Sequence, residues 1–206
     1  INDEPAGYKI YEMEHPDVLL WAVWALQQYA KETSREQCRQ KYGELLEDIM
    51  EFIRQRKHEN LFLHENGLLY ANGTDKAITW MNSTVNGHPV IPRTGYIVEF
   101  NALWYNALRF IADLVREGGN VLLADALDAQ AEVTGKSFIE VFRNEYGYLL
   151  DYVDGNMMDW SVRPNMIFAV AFSAGSGAKE TSARYCNQRV AYPKGTPYLE
   201  PEEWGI

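Results

Sequence analysis

Three stretches of this sequence are apolar on nearly every side of a helix, two amphipathic stretches alternate with them, and few folds can bury that pattern. The first dense stretch runs from Val18 through Trp21 and Trp24 to about Tyr29, with Asp17 placed to cap it. The second runs from Val98 to about Arg116 through Leu103, Trp104, Leu108, Phe110 and Leu114, and Gly118-Gly119 stops it. Pro164, at a first-turn position, opens the third, which continues from Met166 to Val170. The amphipathic helices are expected after Ser34, with Leu45, Leu46, Ile49, Phe52 and Ile53 on one face, and from Val121 to about Tyr146 with a break near Gly135.

Dense helices inside and amphipathic helices outside make about three helical hairpins in two concentric layers. The expected fold class is therefore all-α, part of an α/α toroid, with an ordinary bundle or solenoid as the alternative. In such a toroid the three inner helices point the same way, so the loops feeding their N-termini gather on one face. Those loops carry Asp17; Trp80, Asn82, Arg93 and Glu99; and Asp151, Asp154, Arg163 and Asn165. The long segment from about His58 to Ile97 is read as irregular, and loops of that length within a compact domain usually serve a function.

At 206 residues and 47% hydrophobic content the chain suits one packed domain. A net charge of -10 excludes the phosphate backbone of a nucleic acid as partner, since that affinity comes from Lys and Arg. No apolar run reaches the roughly 18 to 20 residues of a membrane-spanning helix, and Ile1-Asn2-Asp3-Glu4 is unlike a signal peptide. The missing initiator Met marks the sequence as a cut-out or processed piece. Cys38 and Cys186 have neither disulfide-framework nor metal-ligand spacing, so no metal or cofactor is expected and a reducing cytoplasm is the default location.

The segment Thr79-Trp80-Met81-Asn82, then Ile91-Pro92-Arg93, then Val98-Glu99-Phe100-Asn101-Ala102-Leu103-Trp104-Tyr105-Asn106-Ala107-Leu108 strongly resembles the TWMD…TPR…VEINALWYNAL signature of the amylo-α-1,6-glucosidase domain of glycogen debranching enzymes. The likeness extends over about Asp17 to Phe172, through HPDVLLWAVWALQQY, HENGLLYANG and DYVDGN…DWSVRPNMIFAV. It implies an (α/α)6 toroid that hydrolyses α-1,6-linked glucose stubs of glycogen with inversion. One carboxylic acid protonates the leaving oxygen and one carboxylate activates water, about 6.5–9.5 Å apart. Of that toroid the chain would hold half, and the Ser-Glu-Ile-Phe-Asp-Gly-like segment expected to carry the water-activating carboxylate does not occur here.

Asn82 stands where the family usually has aspartate, and its amide can hydrogen-bond a sugar hydroxyl but cannot donate a proton as an acid does. Glu99 is the nearest replacement; a favourable charge on the helix dipole is its alternative role. Asp75 and Asp154 are weaker candidates, since acidic residues beside Gly or Asn commonly form turns. Trp80 and Trp104 offer flat faces for a glucose ring, with core packing the alternative and the favoured one for Trp104. Trp21 and Trp24 are assigned to inner packing. Arg93 and Arg163 can hold hydroxyls, orient carboxylates or form structural ion pairs. Asp17 and Asn165 complete the expected substrate contacts.

After Phe172 the sequence changes character at Ser173-Ala174-Gly175-Ser176-Gly177. Back-translated with chosen synonymous codons and shifted by one base, Arg184 to Lys194 gives DIVTKELLTPK, and Gly195 to Ile206 permits GLRTLSPKSGG. That string resembles the family's next segment. Residues 173–206 are therefore expected to be an out-of-frame or disordered tail, with no site at Cys186, Trp204 or Pro193 to Pro201, and residues 1–172 to be the partial glucosidase domain. Missing partners for the inner helices would favour self-association. The leading functional expectation is a glycoside-hydrolase fragment for α-glucan or glycogen oligosaccharide, inactive by itself. The alternatives are a non-catalytic glucan-binding or interaction module, and a toroidal polysaccharide lyase that would need an arginine and a tyrosine to meet.

Overall fold

A computed structural model describes residues 15–172. The chain runs α1 (Asp17–Glu32), α2 (Arg35–Arg54), β1 (Leu61–Leu63), β2 (Leu69–Ala71), β3 (Thr84–Val85), β4 (His88–Pro89), β5 (Gly95–Ile97), α3 (Val98–Glu117), α4 (Val121–Phe142), β6 (Tyr152–Asp154), β7 (Met157–Met158) and α5 (Met166–Ala171). Five short strands form an antiparallel sheet in the order β1-β2-β5-β6-β7, and β3 pairs with β4 in a separate hairpin.

The all-α, half-toroid expectation is thereby corrected: the fold is mixed, and the segments read as irregular supply its strands. Each strand has two or three residues, too few for a period-two alternation to stand out. The turn between β3 and β4 does have a local cause, since Asn86 and Gly87 both take positive φ, as a two-residue hairpin turn requires.

The helices follow their sequence signals closely. Ser34 Oγ accepts from Gln37 N–H at 3.1 Å and starts α2, while Asn120 Oδ1 accepts from Leu123 N–H at 3.2 Å and starts α4. Asp17 does not cap α1; Pro16 occupies that position, and Asp17 lies inside the first turn. No break occurs at Gly135, which is buried within α4. The first helix is also less enclosed than its composition suggests, with Trp21, Trp24 and Tyr29 only half-buried.

Helix α3 is the centre of the molecule. Trp104, Phe100, Leu103 and Leu108 on it are fully buried, and it packs against α1, α4 and α5. Its side chains divide two apolar clusters, one shared with α1, α2 and the β1-β2 hairpin, the other with α4, α5 and β6. Asn101 fastens β2 to this helix: its Oδ1 accepts from Leu69 N–H at 2.7 Å and its Nδ2 donates to the Leu69 and Ile97 carbonyls at 3.0 Å. Because β5 passes into α3 without a loop, that clamp also sets where the first turn of α3 begins.

Candidate functional site

Glu99 lies in the first turn of α3 and Arg93 lies two residues before β5, so the short strand turns both side chains toward one buried place. The Arg93 guanidinium grips Glu99 through both terminal nitrogens, with Nη2 at 2.7 Å from Oε2. Arg93 Nη2 also donates to the Asp151 carbonyl at 3.3 Å, and Nε stands 3.0 Å from Asp151 Oδ2 as an ion pair not aligned for a hydrogen bond. Arg93, Glu99 and Asp151 are buried throughout, where a charge is tolerated only beside its opposite.

From Asp151 the network spreads outward. Arg163 Nη1 donates to Asp151 Oδ2 at 2.8 Å and to Asp159 Oδ2 at 2.7 Å. Asn165 Nδ2 donates to Asp151 Oδ1 at 2.7 Å and touches Met81 Sδ at 3.3 Å, while Asn165 Oδ1 accepts from Trp80 Nε1 at 3.1 Å. The backbone N–H of Trp80 also acts on the Asp17 carboxyl, opposing the rise that burial causes. One connected set of polar groups thus joins the N-termini of α3 and α5 to the Trp80 loop, with Asp17 at the start of α1 beside it. Its outermost member is the Trp80 indole, 48% exposed.

Burial shapes the ionisation of this set. Loss of water pushes the Glu99 carboxyl up, opposed by the Arg93 fork. Burial pulls Arg93 down, yet its contacts with Glu99 and Asp151 outweigh that and hold it above the ordinary arginine value. Asp17 is raised by burial, with His15 and the N–H groups of Trp80 and Val18 acting against the rise. For Asp159 the burial effect is overcome by hydrogen bonds from Ser161 and Arg163, and its carboxyl lies below the usual range.

The structure brings together Asp17, Trp80, Arg93, Glu99, Arg163 and Asn165, six of the residues expected from sequence. Three others stand apart. Asn82 is exposed beyond Trp80, at the foot of the β3-β4 hairpin. Asp154 accepts from Tyr70 Oη at 2.9 Å, and burial together with that carboxylate pushes the Tyr70 phenol up to about 12. Trp104 is fully buried with its Nε1 donating to the Gly67 carbonyl at 3.2 Å, so neither ring face is open to a sugar. Asp75 is exposed.

Sequence reasoning placed Asp151 in the right loop without giving it a role, and it passed over Asp159. The i, i+4 spacing of Asp159 and Arg163 was the available signal. Tyr152 lies in the field of Arg163 and Arg93, but burial raises its phenol against their pull, which opposes the tyrosine base a lyase needs. Among the described residues no group of His, Cys, Asp and Glu is arranged to hold a metal ion, and no helix is long and apolar enough to cross a membrane.

The amylo-alpha-1,6-glucosidase family matches residues 4–204. The chain belongs to the amylo-alpha-1,6-glucosidase family. It is a glycoside hydrolase-related domain. Among solved structures it is similar to a GH78 family rhamnosidase of Bacillus sp. GL1, with a TM-score of 0.63 and 15% sequence identity over 85% of this chain. The chain spans only 17% of that protein, and at such identity the likeness is one of fold. No curated protein matches the chain. The amylo-alpha-1,6-glucosidase match continues past Phe172 to residue 204 and lends no support to a change of reading frame near Ser173. The expectations for residues 173–206, including Cys186 and Trp204, lie outside the described residues.

Proposed function

We propose that the connected polar set is the sugar-holding face of a domain that engages α-1,6-linked glucosyl branch stubs of an α-glucan. The observation that carries this reading is the continuous run Trp80, Asn165, Asp151, Arg93, Glu99, with Asp17 beside it, which presents one half-exposed indole above a braced polar floor. A glucose ring stacks its C–H face on such an indole, while the part-exposed Arg163 and Asp159 and the exposed Asn82 exchange hydrogen bonds with hydroxyls.

Catalysis needs more than this face supplies. In an inverting glycosidase one carboxyl must reach the glycosidic oxygen and another must hold water. Glu99 is enclosed and held by Arg93, so its part is to position Arg93 and the first turn of α3 rather than to transfer a proton. Asn82 is an amide. The chain on its own is therefore a binder of the substrate of this reaction and not a catalyst of it.

The test is calorimetric titration of the chain with isomaltose and with a branch-stub dextrin, beside an assay for released glucose. Saturable binding that Trp80→Ala abolishes, without glucose release, is the expected result. No binding of either sugar would remove the reading, and glucose release would remove the non-catalytic part of it. Binding of linear maltose but not isomaltose would point instead to a general glucan-binding module.

A further inference from the structure

The turn after α4 is organised around Asn144, whose Oδ1 accepts from the backbone N–H groups of Tyr146 at 3.0 Å and Tyr148 at 3.2 Å. Asn144 N–H donates to the Tyr148 carbonyl at 2.9 Å and Gly147 N–H to the Asn144 carbonyl at 3.0 Å. This small closed turn displays the two tyrosine rings nearly parallel, at an interplanar angle of 18° with centroids 6.5 Å apart. Trp160, from the other loop, completes a triangle with them at 6.1 Å and 6.3 Å, steeply inclined to both. Tyr146 is 64% exposed and Trp160 41% exposed. Three large aromatic rings are thus assembled against one another, with Tyr146 and Trp160 open to water and Tyr148 half-buried between the loops, the arrangement of an interaction surface rather than of a core.

Two further observations say what kind of ligand suits this cluster. Asn144 is nine-tenths buried, and its Nδ2 is shielded and has no hydrogen-bond partner, leaving an unsatisfied donor in the turn that carries the tyrosines. Trp160 lies between Asp159 and Ser161, and Asp159 is tied through Arg163 to Asp151, so the cluster is continuous with the polar face. A neutral ligand with apolar C–H faces and hydroxyls suits exposed aromatic rings next to the Asp159–Arg163 pair. The chain's net charge of -10 disfavours anionic polymers.

We propose that Tyr146, Tyr148 and Trp160 bind further glucosyl units of the same α-glucan chain, beyond the ring held at Trp80. The inference rests on the sugar-holding face described above and adds a second contact surface to it. Its consequence is length dependence: oligosaccharides that reach both surfaces bind more tightly than those that reach one.

The experiment uses the 206-residue chain and titrates isomaltose and a branched maltoheptaose against the wild type, Trp160→Ala and Tyr146→Ala. Wild type is expected to hold the longer sugar about tenfold or more tightly, and both variants to lose that increment while isomaltose affinity stays within about twofold. Equal length dependence in wild type and both variants would overturn the inference and leave the Trp80 face standing. Failure of every sugar to bind wild type would remove both readings. Sedimentation showing a concentration-dependent dimer that Trp160→Ala dissolves would also overturn it, since the cluster would then be a contact between copies.

Discussion

The indole nitrogen of Trp80 and the side-chain oxygen of Asn165 meet at 3.1 Å across 85 positions of sequence. The same asparagine donates to Asp151, so one amide both aims the exposed indole and anchors it to the buried ion-pair network. Replacing Asn165 by Leu removes both contacts from a fully buried position. The expected loss of stability is about 1–3 kcal/mol, from the buried Asp151 Oδ1 and the Trp80 indole N–H losing their Asn165 contacts while Arg93 and Arg163 still hold Asp151 Oδ2. Urea denaturation followed by far-ultraviolet circular dichroism measures it. Tryptophan emission should separately show Trp80 becoming more mobile, and an unchanged emission anisotropy would remove the aiming role.

The Arg93–Glu99 pair gives a second test. Glu99→Gln retains the shape but leaves the buried guanidinium short of one negative charge, and breaking such a pair costs about 3–5 kcal/mol. The double variant Arg93→Met with Glu99→Leu removes both charges together. It should recover a large part of that loss, and two equal denaturation midpoints for the single and double variants would contradict the pairing.

How much of this was visible beforehand differs from element to element. Helices α2, α3 and α4 have caps or stops of known chemistry. Helix α4 ends at Phe142 rather than about Tyr146 and runs unbroken through Gly135, but the starts of all three could be read nearly residue by residue. The sheet could not, because β5 is only Gly95, Tyr96 and Ile97 and its partners β2 and β6 lie far away in sequence. The convergence of three loops was legible through α1, α3 and α5, and it placed Arg93, Glu99, Arg163 and Asn165 together. Depth was legible for the two tryptophans of the motif, since the helical position favoured core packing for Trp104, which is sealed beside Gly67, and the loop position favoured an open Trp80, which is half-exposed. What composition could not reveal is that Asp154 faces Tyr70 instead of the network.

Acid titration separates two aspartates of opposite sign. Burial lifts Asp17 above its ordinary value of 3.8, so its contribution to stability is present below 3.8 and fades as pH rises through the folded-state value. Asp159 is held below 3.8, so its contribution is present above that value and is lost as pH falls through the folded-state one. Relative to wild type, Asp17→Asn should therefore become more stable as pH rises from about 4 to about 7, and Asp159→Asn less stable as pH rises from about 2 to about 4 and level above that. Parallel denaturation midpoints for the two variants across that range would show that these environments are wrongly assigned.

The last prediction concerns the backbone that brings Arg93 and Glu99 together. Gly95 takes φ +113°, and a Cβ added there would run into the Val153 carbonyl, because β5 and β6 approach closely at that point. Both the dihedral and the contact exclude a side chain, so Gly95→Ala should cost at least about 2 kcal/mol. The damage should not stop at stability, since a displaced β5 moves the start of α3 and with it Glu99. Gly43→Ala is the control: this glycine lies within α2, the nearest atom to an added Cβ is Arg39 Cγ at 3.9 Å, and alanine there should stabilise by about 0.5–1 kcal/mol. If sugar binding survives Gly95→Ala at a concentration of urea where wild type and Gly43→Ala are both folded, the strand does not set the geometry of the face. If binding is lost while circular dichroism still reports intact helices, the close approach of β5 and β6 is what holds Arg93 in register with Glu99 and Asp151.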